Sequence, residues 1–345
     1  MSSSKLVLVT CASGYIASHV VQQLLSAGYR VRGTARGAKV NTLRDFWKAV
    51  PEFQAIQIDD IATDDFTEAL QGVDAVVHVP ASQLNKDSAD SLIKASVSVI
   101  DGTLNVIRQA NDKGVKKLVL NSSWVTLLSP DLSESYKGIT LFEETWGKTS
   151  REDLIQHDGK SIYAYFGAQI LAEQAVWAFS KEHLDIDIAT LLPPFVFGPP
   201  VLPLSKSSLS SVGFIYKLIA GEAGGPLPFQ TPPFHVDARD IARAHVRALE
   251  LPPLPAGADR QEKRFLVSSP ETFTWDVAVK HLYEARPGLR NRLPSLEKAV
   301  ELPGPLSKND TTRAKQVLGI TEYVDWRKTV EDTIDALVEA EKTWA

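Results

Sequence analysis

The run Leu6-Val7-Leu8-Val9 leads directly into Thr10-Cys11-Ala12-Ser13-Gly14-Tyr15-Ile16-Ala17 and then into a helical pattern. A strand that turns straight into a helix offers free backbone N–H groups and the positive end of a dipole, and the chemistry this suits is holding a phosphate or pyrophosphate. The dinucleotide-binding form of such a turn carries three glycines at fixed spacing. Gly14 keeps the middle one, where a missing side chain lets the backbone approach the phosphates. Ala17 takes the third place, which the pattern tolerates. Cys11 takes the first, where a side chain either crowds a bound nucleotide or forces a different turn. By itself the stretch reads equally well as an ordinary strand–turn–helix. As a nucleotide site its contacts are Thr10, Cys11, Ser13, Gly14, Tyr15 and Ile16.

The end of the second apolar strand bears on the same question. An acid there would bind the 2′-hydroxyl of an NAD ribose. The sequence instead reads Arg32-Gly33-Thr34-Ala35-Arg36, with Lys39 just beyond. Arg36 is placed to hold a 2′-phosphate with Lys39 assisting, which points to NADP. The alternative is a pair of solvated cations at a helix start, where the dipole slightly disfavours them. Asp60 and Ile61 follow the third strand and either frame an adenine or form a surface turn.

The elements that must position these residues alternate. Strand patterns cover Lys5–Thr10, Tyr29–Ala35, Phe53–Ile58, Ala75–Val79, Lys117–Leu120 and Asp187–Leu192. Helical patterns cover Gly14–Ala27, Lys39–Ala49, Asp64–Leu70, Ser88–Lys113 and Ser161–Lys181, with loops from Ser129 to Lys160. Alternation with right-handed crossovers predicts an α/β fold, a doubly wound parallel sheet of Rossmann type. From Pro193 the texture turns rich in Pro, Ser and Gly, which suits a smaller substrate lobe. A helix over Asp237–Leu249, with Asp237 as N-cap and Asp240 as the acid of a capping pair, returns to the first domain, and a last helix covers Asp325–Lys342. The expected division is a nucleotide-binding domain over 1–192 with 233–252 rejoining it, and a substrate lobe over 193–232 and 253–345.

Composition limits the function. Over 345 residues the net charge is −5, which argues against a nucleic-acid partner, and no apolar run reaches the length of a membrane span. One cysteine excludes an internal disulfide and, with no secretory pattern at the start, points to the cytosol. His78, His235 and His245 sit apart in strand and helix patterns and read as structural, so no metal site is expected.

The order of several short motifs is more specific than any one of them. Val31–Arg36, Val76–Val79, Asp101–Val106, Val119–Ser123, Leu171–Glu173, Pro193 to Pro199, and His235–Asp237 to Asp240–His245 follow one another in a sequence that resembles the extended short-chain dehydrogenase/reductase family. Within it the chain is similar to fungal carbonyl and aldehyde reductases, relatives of the dihydroflavonol and cinnamoyl-CoA reductases, over nearly its whole length. The resemblance implies NADP(H) and a small-molecule carbonyl substrate, acting as monomer or homodimer. It implies Ser123 as hydrogen-bond donor to the substrate oxygen and Tyr165 as proton donor. The family's lysine belongs four residues later, where this chain has Gln169. A nearby ammonium brings a phenol from about 10 toward working pH, and an amide cannot; Gln169 can still hydrogen-bond a ribose. Its absence implies a slow reductase, with a non-redox isomerase or lyase, or a silent nucleotide-binding protein, as the alternatives. The resemblance also implies cofactor contacts at Val79, Ala81, Pro193, Phe195 and Val196. Its pocket positions are Gln83, Trp124, Tyr163, Phe166, Phe195 and Phe214, which suit a bulky apolar or aryl carbonyl compound.

Overall fold

The computed structural model describes residues 4–80, 89–156, 161–297 and 299–344. Ala81 and Gln83 therefore lie outside the described residues. Five apolar runs form the strands β1 (Leu6–Val9), β2 (Arg30–Ala35), β3 (Phe53–Gln57), β4 (Ala75–His78) and β5 (Lys117–Asn121). With Asp187–Leu192 and Arg264–Leu266 they make one seven-stranded sheet. From one edge the order is β3, β2, β1, β4, β5, Asp187–Leu192, Arg264–Leu266, and every pairing is parallel. Because the chain runs outward from β1 in one direction and from β4 in the other, the crevice of a doubly wound sheet opens at the carboxyl ends of β1 and β4.

The alternation of side chains builds both faces. Val7 and Val9 of β1, Val31, Val77, Val119 and Leu191 belong to one buried cluster, together with Val20, Val21 and Leu24 of helix α1 (Tyr15–Ser26). Leu6, Leu8, Val76, Leu118, Leu120 and Ile188 belong to the opposite one, with Val106 and Ile107 of the helix Ala89–Asp112 and Val176 and Phe179 of Ser161–Glu182. A strand buried on both faces needs the near-continuous apolar runs seen here.

Three expectations change. Asp64–Leu70 is a run of turns, not a helix. The Asp64 carboxylate accepts from the N–H groups of Asp59 and Asp60, at 2.8 and 3.0 Å, and Asp65 accepts from the N–H of Thr67 at 2.8 Å. These local bonds compete with a helical ladder, and Phe66 still reaches the core with no exposure. Asp237 does cap the helix Ala238–Glu250, accepting from the Arg239 N–H at 2.8 Å, but Asp240 does not complete a capping pair. It accepts from the Val324 N–H and from Arg243, each at 2.8 Å, and burial pushes its pKa to about 6. Finally, Arg264–Leu266 comes from the stretch 253–345 expected in the lobe, yet it closes the main sheet beside Asp187–Leu192.

Helices later in the chain add to the buried cluster on the first sheet face. Leu218 of Val212–Ala220, Leu282 of Trp275–Ala285 and Val330, Ile334 and Leu337 of Trp326–Glu341 join the same cluster as β1. A short parallel pair, Phe195–Phe197 with His235–Asp237, adds Val196, Phe197 and Val236 to it.

His235 is 1% exposed, neither ring nitrogen has a partner among the described residues, and its ring lies edge-on to Phe273 at 4.8 Å. Burial lowers the pKa of His235 and His245 to about 4 and of His78 to about 3. These groups are neutral in both states above the unfolded value near 6.5. Below it only the unfolded chain takes up protons, so stability is lost as pH falls from about 6.5 toward 4, by about 1.4 kcal/mol per pH unit for each group. We predict that His235→Phe makes this loss shallower by about one proton and leaves neutral stability unchanged or higher, read from urea unfolding between pH 7.5 and 5. An unchanged slope would refute the buried neutral histidine.

Candidate active site

The turn after β1 is fixed from both sides. The Thr10 N–H donates to the Val77 carbonyl at 3.1 Å, and the Thr10 hydroxyl accepts from the Val79 N–H at 3.2 Å. The same hydroxyl lies 2.8 Å from His78 Nδ1, while His78 Nε2 lies 3.2 Å from the Thr103 hydroxyl. Thr103 donates its own proton to the Val99 carbonyl, so it accepts from Nε2–H, and Nδ1 is left to accept from Thr10. On the other side the Ala12 N–H donates to the Thr34 carbonyl at 2.7 Å and the Cys11 N–H to the Thr34 hydroxyl at 3.1 Å.

Cys11 adopts φ = 51°, the left-handed conformation that glycine takes readily, so the turn keeps its shape at a cost of about 1 kcal/mol. Gly14 is needed for space. A Cβ there would lie 3.1 Å from the Cys11 carbonyl oxygen. Among the described residues no side chain caps α1, and its first turn holds no acid. An uncapped helix start with bare backbone is the arrangement a pyrophosphate requires. Sequence reasoning missed Gly33, where a Cβ would meet the Ala12 Cβ at 2.7 Å and the Phe53 ring at 2.9 Å. Its bare backbone lets the turn lie close against β2.

The other nucleotide candidates fall around this turn. Arg36 and Lys39 are exposed just past β2, and neither forms an ion pair with a described residue. Asp59 is close enough for Arg36 to help lower its pKa, after the larger effects of hydrogen bonds from Gln57 and the Gly37 N–H. Asp60 is exposed and turns on itself, accepting from the Ala62 N–H at 2.9 Å. Ile61 lies over Gly102, and its carbonyl accepts from Asn105 at 3.0 Å. Ser13 and Ile16 are half-buried. The Tyr15 side chain is committed elsewhere: it is buried and its hydroxyl donates to the Gly198 carbonyl at 2.8 Å. Val79 is buried beside Thr10.

Ser123 follows β5 directly. It is half-buried and opens a tight turn, Trp124–Leu127, whose Val125 N–H donates to its hydroxyl over 3.4 Å. The helix Ser161–Glu182 packs on that turn, and the half-buried Tyr165 shares one apolar cluster with Trp124, Phe166, Leu192 and Phe234. The Trp124 N–H donates to the Pro193 carbonyl at 2.9 Å, so the Pro193 loop also meets this point. Gln169, one turn beyond Tyr165, is 5% exposed.

The pocket candidates divide. Trp124 and Phe166 are core side chains, 1% and 7% exposed, and the Trp124 indole N–H donates to Asn309 at 2.9 Å. Tyr163 is half-buried, as are Phe195 and Phe214, whose rings meet edge-on at 5.4 Å. Val196 is buried, and its carbonyl accepts from Ser211 at 2.5 Å. Sequence reasoning also missed an ion pair at 2.9 Å between Glu173 and Arg264, each 1% exposed. Burial would raise the Glu173 carboxyl. The Arg264 charge and hydrogen bonds from Arg264, Thr190 and Ser122 outweigh that and hold it below its ordinary value.

Residues 7–257 match the model of the NAD dependent epimerase/dehydratase family, and the chain belongs to that family. It is 31% identical over 356 residues to aldehyde reductase 2 of Sporidiobolus salmonicolor, covering 99% of this chain and 97% of that protein. The structure of Gre2 from Candida albicans is 26% identical, with a TM-score of 0.84, covering 98% of this chain and 99% of that one. The Gre2–NADPH complex from the same organism matches at 26% identity and a TM-score of 0.83, over 97% of this chain and 99% of that one. Among the described residues no group of His, Cys, Asp and Glu could hold a metal, and no helix is long and apolar enough to cross a membrane.

The contacts at Gly33 give a direct test. Gly33→Ala should push the turn off β2 and weaken NADPH binding at least tenfold, measured by fluorescence titration, while the far-ultraviolet circular dichroism keeps its shape. Unchanged affinity would detach Gly33 from the site.

Proposed function

We propose that this protein is an NADPH-dependent reductase of an aldehyde or ketone bearing a bulky apolar or aryl group. The observation that carries the reading is that the bare helix start after Gly14 and the Ser123 turn both follow strands at the carboxyl edge of the sheet, and that the Tyr165 helix packs on the Ser123 turn. The likeness to reductases over nearly the whole chain supports it.

The backbone from Thr10 to Ile16 would hold the pyrophosphate, with Tyr15 contributing only its main chain. Arg36 and Lys39 would hold a 2′-phosphate, and the Asp60-Ile61 turn and Val79 would flank the adenosine. Pro193, Phe195 and Val196 would border the nicotinamide, with Ala81 and Gln83 completing the cofactor and substrate contacts. Bound there, NADPH supplies a hydride to the carbonyl carbon. Ser123 donates a hydrogen bond to the substrate oxygen and draws electron density from the carbon. Tyr165 gives that oxygen its proton. Gln169 hydrogen-bonds the ribose and takes over the binding share of a lysine's role. Tyr163, Phe195 and Phe214 shape the apolar side of the substrate site, and the segments 193–232 and 253–345, less the strand Arg264–Leu266, form the lobe that closes over it.

One observation favours a second reading, a dinucleotide-binding protein with little or no turnover: the amide at Gln169 cannot stabilise a phenolate. The two readings part in a simple assay. Purified protein with NADPH and a panel of aryl aldehydes and β-keto esters is followed by nicotinamide absorbance. The reductase reading expects slow oxidation that Tyr165→Phe abolishes and that Gln169→Lys accelerates by about 10²-fold, the scale on which a tuned acid acts. If Gln169→Lys binds cofactor normally and gains nothing with any substrate, the second reading replaces the first.

A further inference from the structure

Tyr165, Gln169 and Glu173 recur every four residues, so they line one face of the helix Ser161–Glu182. Two of the three bear directly on the proposed chemistry. The third is buried and carries a charge, and two of its partners, Ser122 and Arg264, lead back to Ser123.

Glu173 Oε2 accepts from the hydroxyl of Ser122, the neighbour of Ser123, at 2.8 Å. Glu173 Oε1 accepts from the Thr190 hydroxyl at 2.8 Å on the strand next to β5, and from the Trp177 indole at 3.2 Å on its own helix. Arg264 spans the same carboxylate, with Nε 2.9 Å from Oε1 and Nη2 3.3 Å from Oε2. Its Nη2 also donates to the Thr126 hydroxyl at 2.8 Å, and Thr126 passes its own proton to the Ser123 carbonyl at 2.8 Å. The guanidinium is steadied from outside by the carbonyls of Glu143 and Thr145 and by the Trp146 ring at 3.6 Å. Ser123 is thus tied on both sides, through the Ser122 side chain and through its own carbonyl, to a carboxylate fixed on the helix that carries Tyr165.

A buried ion pair of this kind is a poor source of stability, because taking two charges from water offsets most of their attraction. Its hydrogen bonds, however, are directional and converge on one segment. We propose that Glu173 and Arg264 are positioning residues that set the spacing between the Ser123 and Tyr165 hydroxyls. The proposal rests on the reductase reading for what that spacing is used for, but the spacing itself is a property of the chain.

The test removes both charges together, since a single substitution would strand the other in the core. Crystal structures of the unaltered protein and of Glu173→Leu/Arg264→Met are compared for the distance between Ser123 Oγ and Tyr165 Oη. We expect a change of about 1 Å with the seven-stranded sheet superposing, and a fall in kcat of roughly 100-fold with the KM for NADPH unchanged, the sensitivity expected of reacting groups displaced by that much. Two milder variants keep the ion pair and guard against misfolding. Thr126→Val, which removes only the hydroxyl link, should lower kcat about tenfold, and Thr126→Ser, which restores it, should stay within about twofold. A hydroxyl spacing unchanged in the double variant overturns the proposal, and so does equal kcat in Thr126→Val and Thr126→Ser. If the unaltered protein oxidises no NADPH with any carbonyl compound, the reductase reading falls alone, and the measured spacing still decides the positioning role.

Discussion

The hydroxyl of Thr10 accepts from the Val79 N–H and donates to His78, and so ties the end of β1 to the end of β4. Those two strands flank the point where the chain changes direction across the sheet. Their separation fixes where α1 begins and which way its free N–H groups face. Burial keeps His78 neutral, with a pKa lowered to about 3, so the tie does not switch across the ordinary pH range. On the far side the absence of a side chain at Gly33 lets the same turn lie close against β2. The proposed nucleotide end is thus shaped by backbone proximity, with Arg36 and Lys39 exposed just past β2.

The proposed chemical end is built differently. Ser123 belongs to a strand end and Tyr165 to a helix, so their relation depends on how that helix lies across the sheet. Apolar packing through Trp124, Phe166 and Leu192 brings the two elements together. It does not by itself fix their register, because apolar contacts are not directional. The hydrogen bonds of Glu173 and Arg264 are directional and reach both elements. Gln169, buried one turn along the same helix, stands between these two systems.

Much of this was legible in the sequence because it rests on local pattern. Strand alternation, the two-sided apolar runs, the Asp237 cap and the glycine-poor turn are all properties of neighbouring residues. What was illegible rests on distance in the chain. Arg264–Leu266 is a three-residue strand with a charged first residue, and only its pairing with Asp187–Leu192 makes it part of the sheet. Asp64–Leu70 had a helical pattern that hydrogen bonds accepted by the Asp64 and Asp65 carboxylates override. Glu173 was visible as a motif residue, but its partner stands 91 positions away. Tyr15 sits within the nucleotide motif, yet its hydroxyl is taken by Gly198, far along the chain.

The account stands on the claim that the crevice at the ends of β1 and β4 holds a nicotinamide dinucleotide by its phosphates, the 2′-phosphate included. The most direct measurement is calorimetric titration of the purified protein with NADPH and with NADH, repeated on Arg36→Ala. The account predicts that NADPH binds at least about tenfold more tightly than NADH, the worth of one charge-assisted contact, and that the gap closes in the variant. No binding of either dinucleotide, or equal binding of both to the unaltered protein, would contradict it.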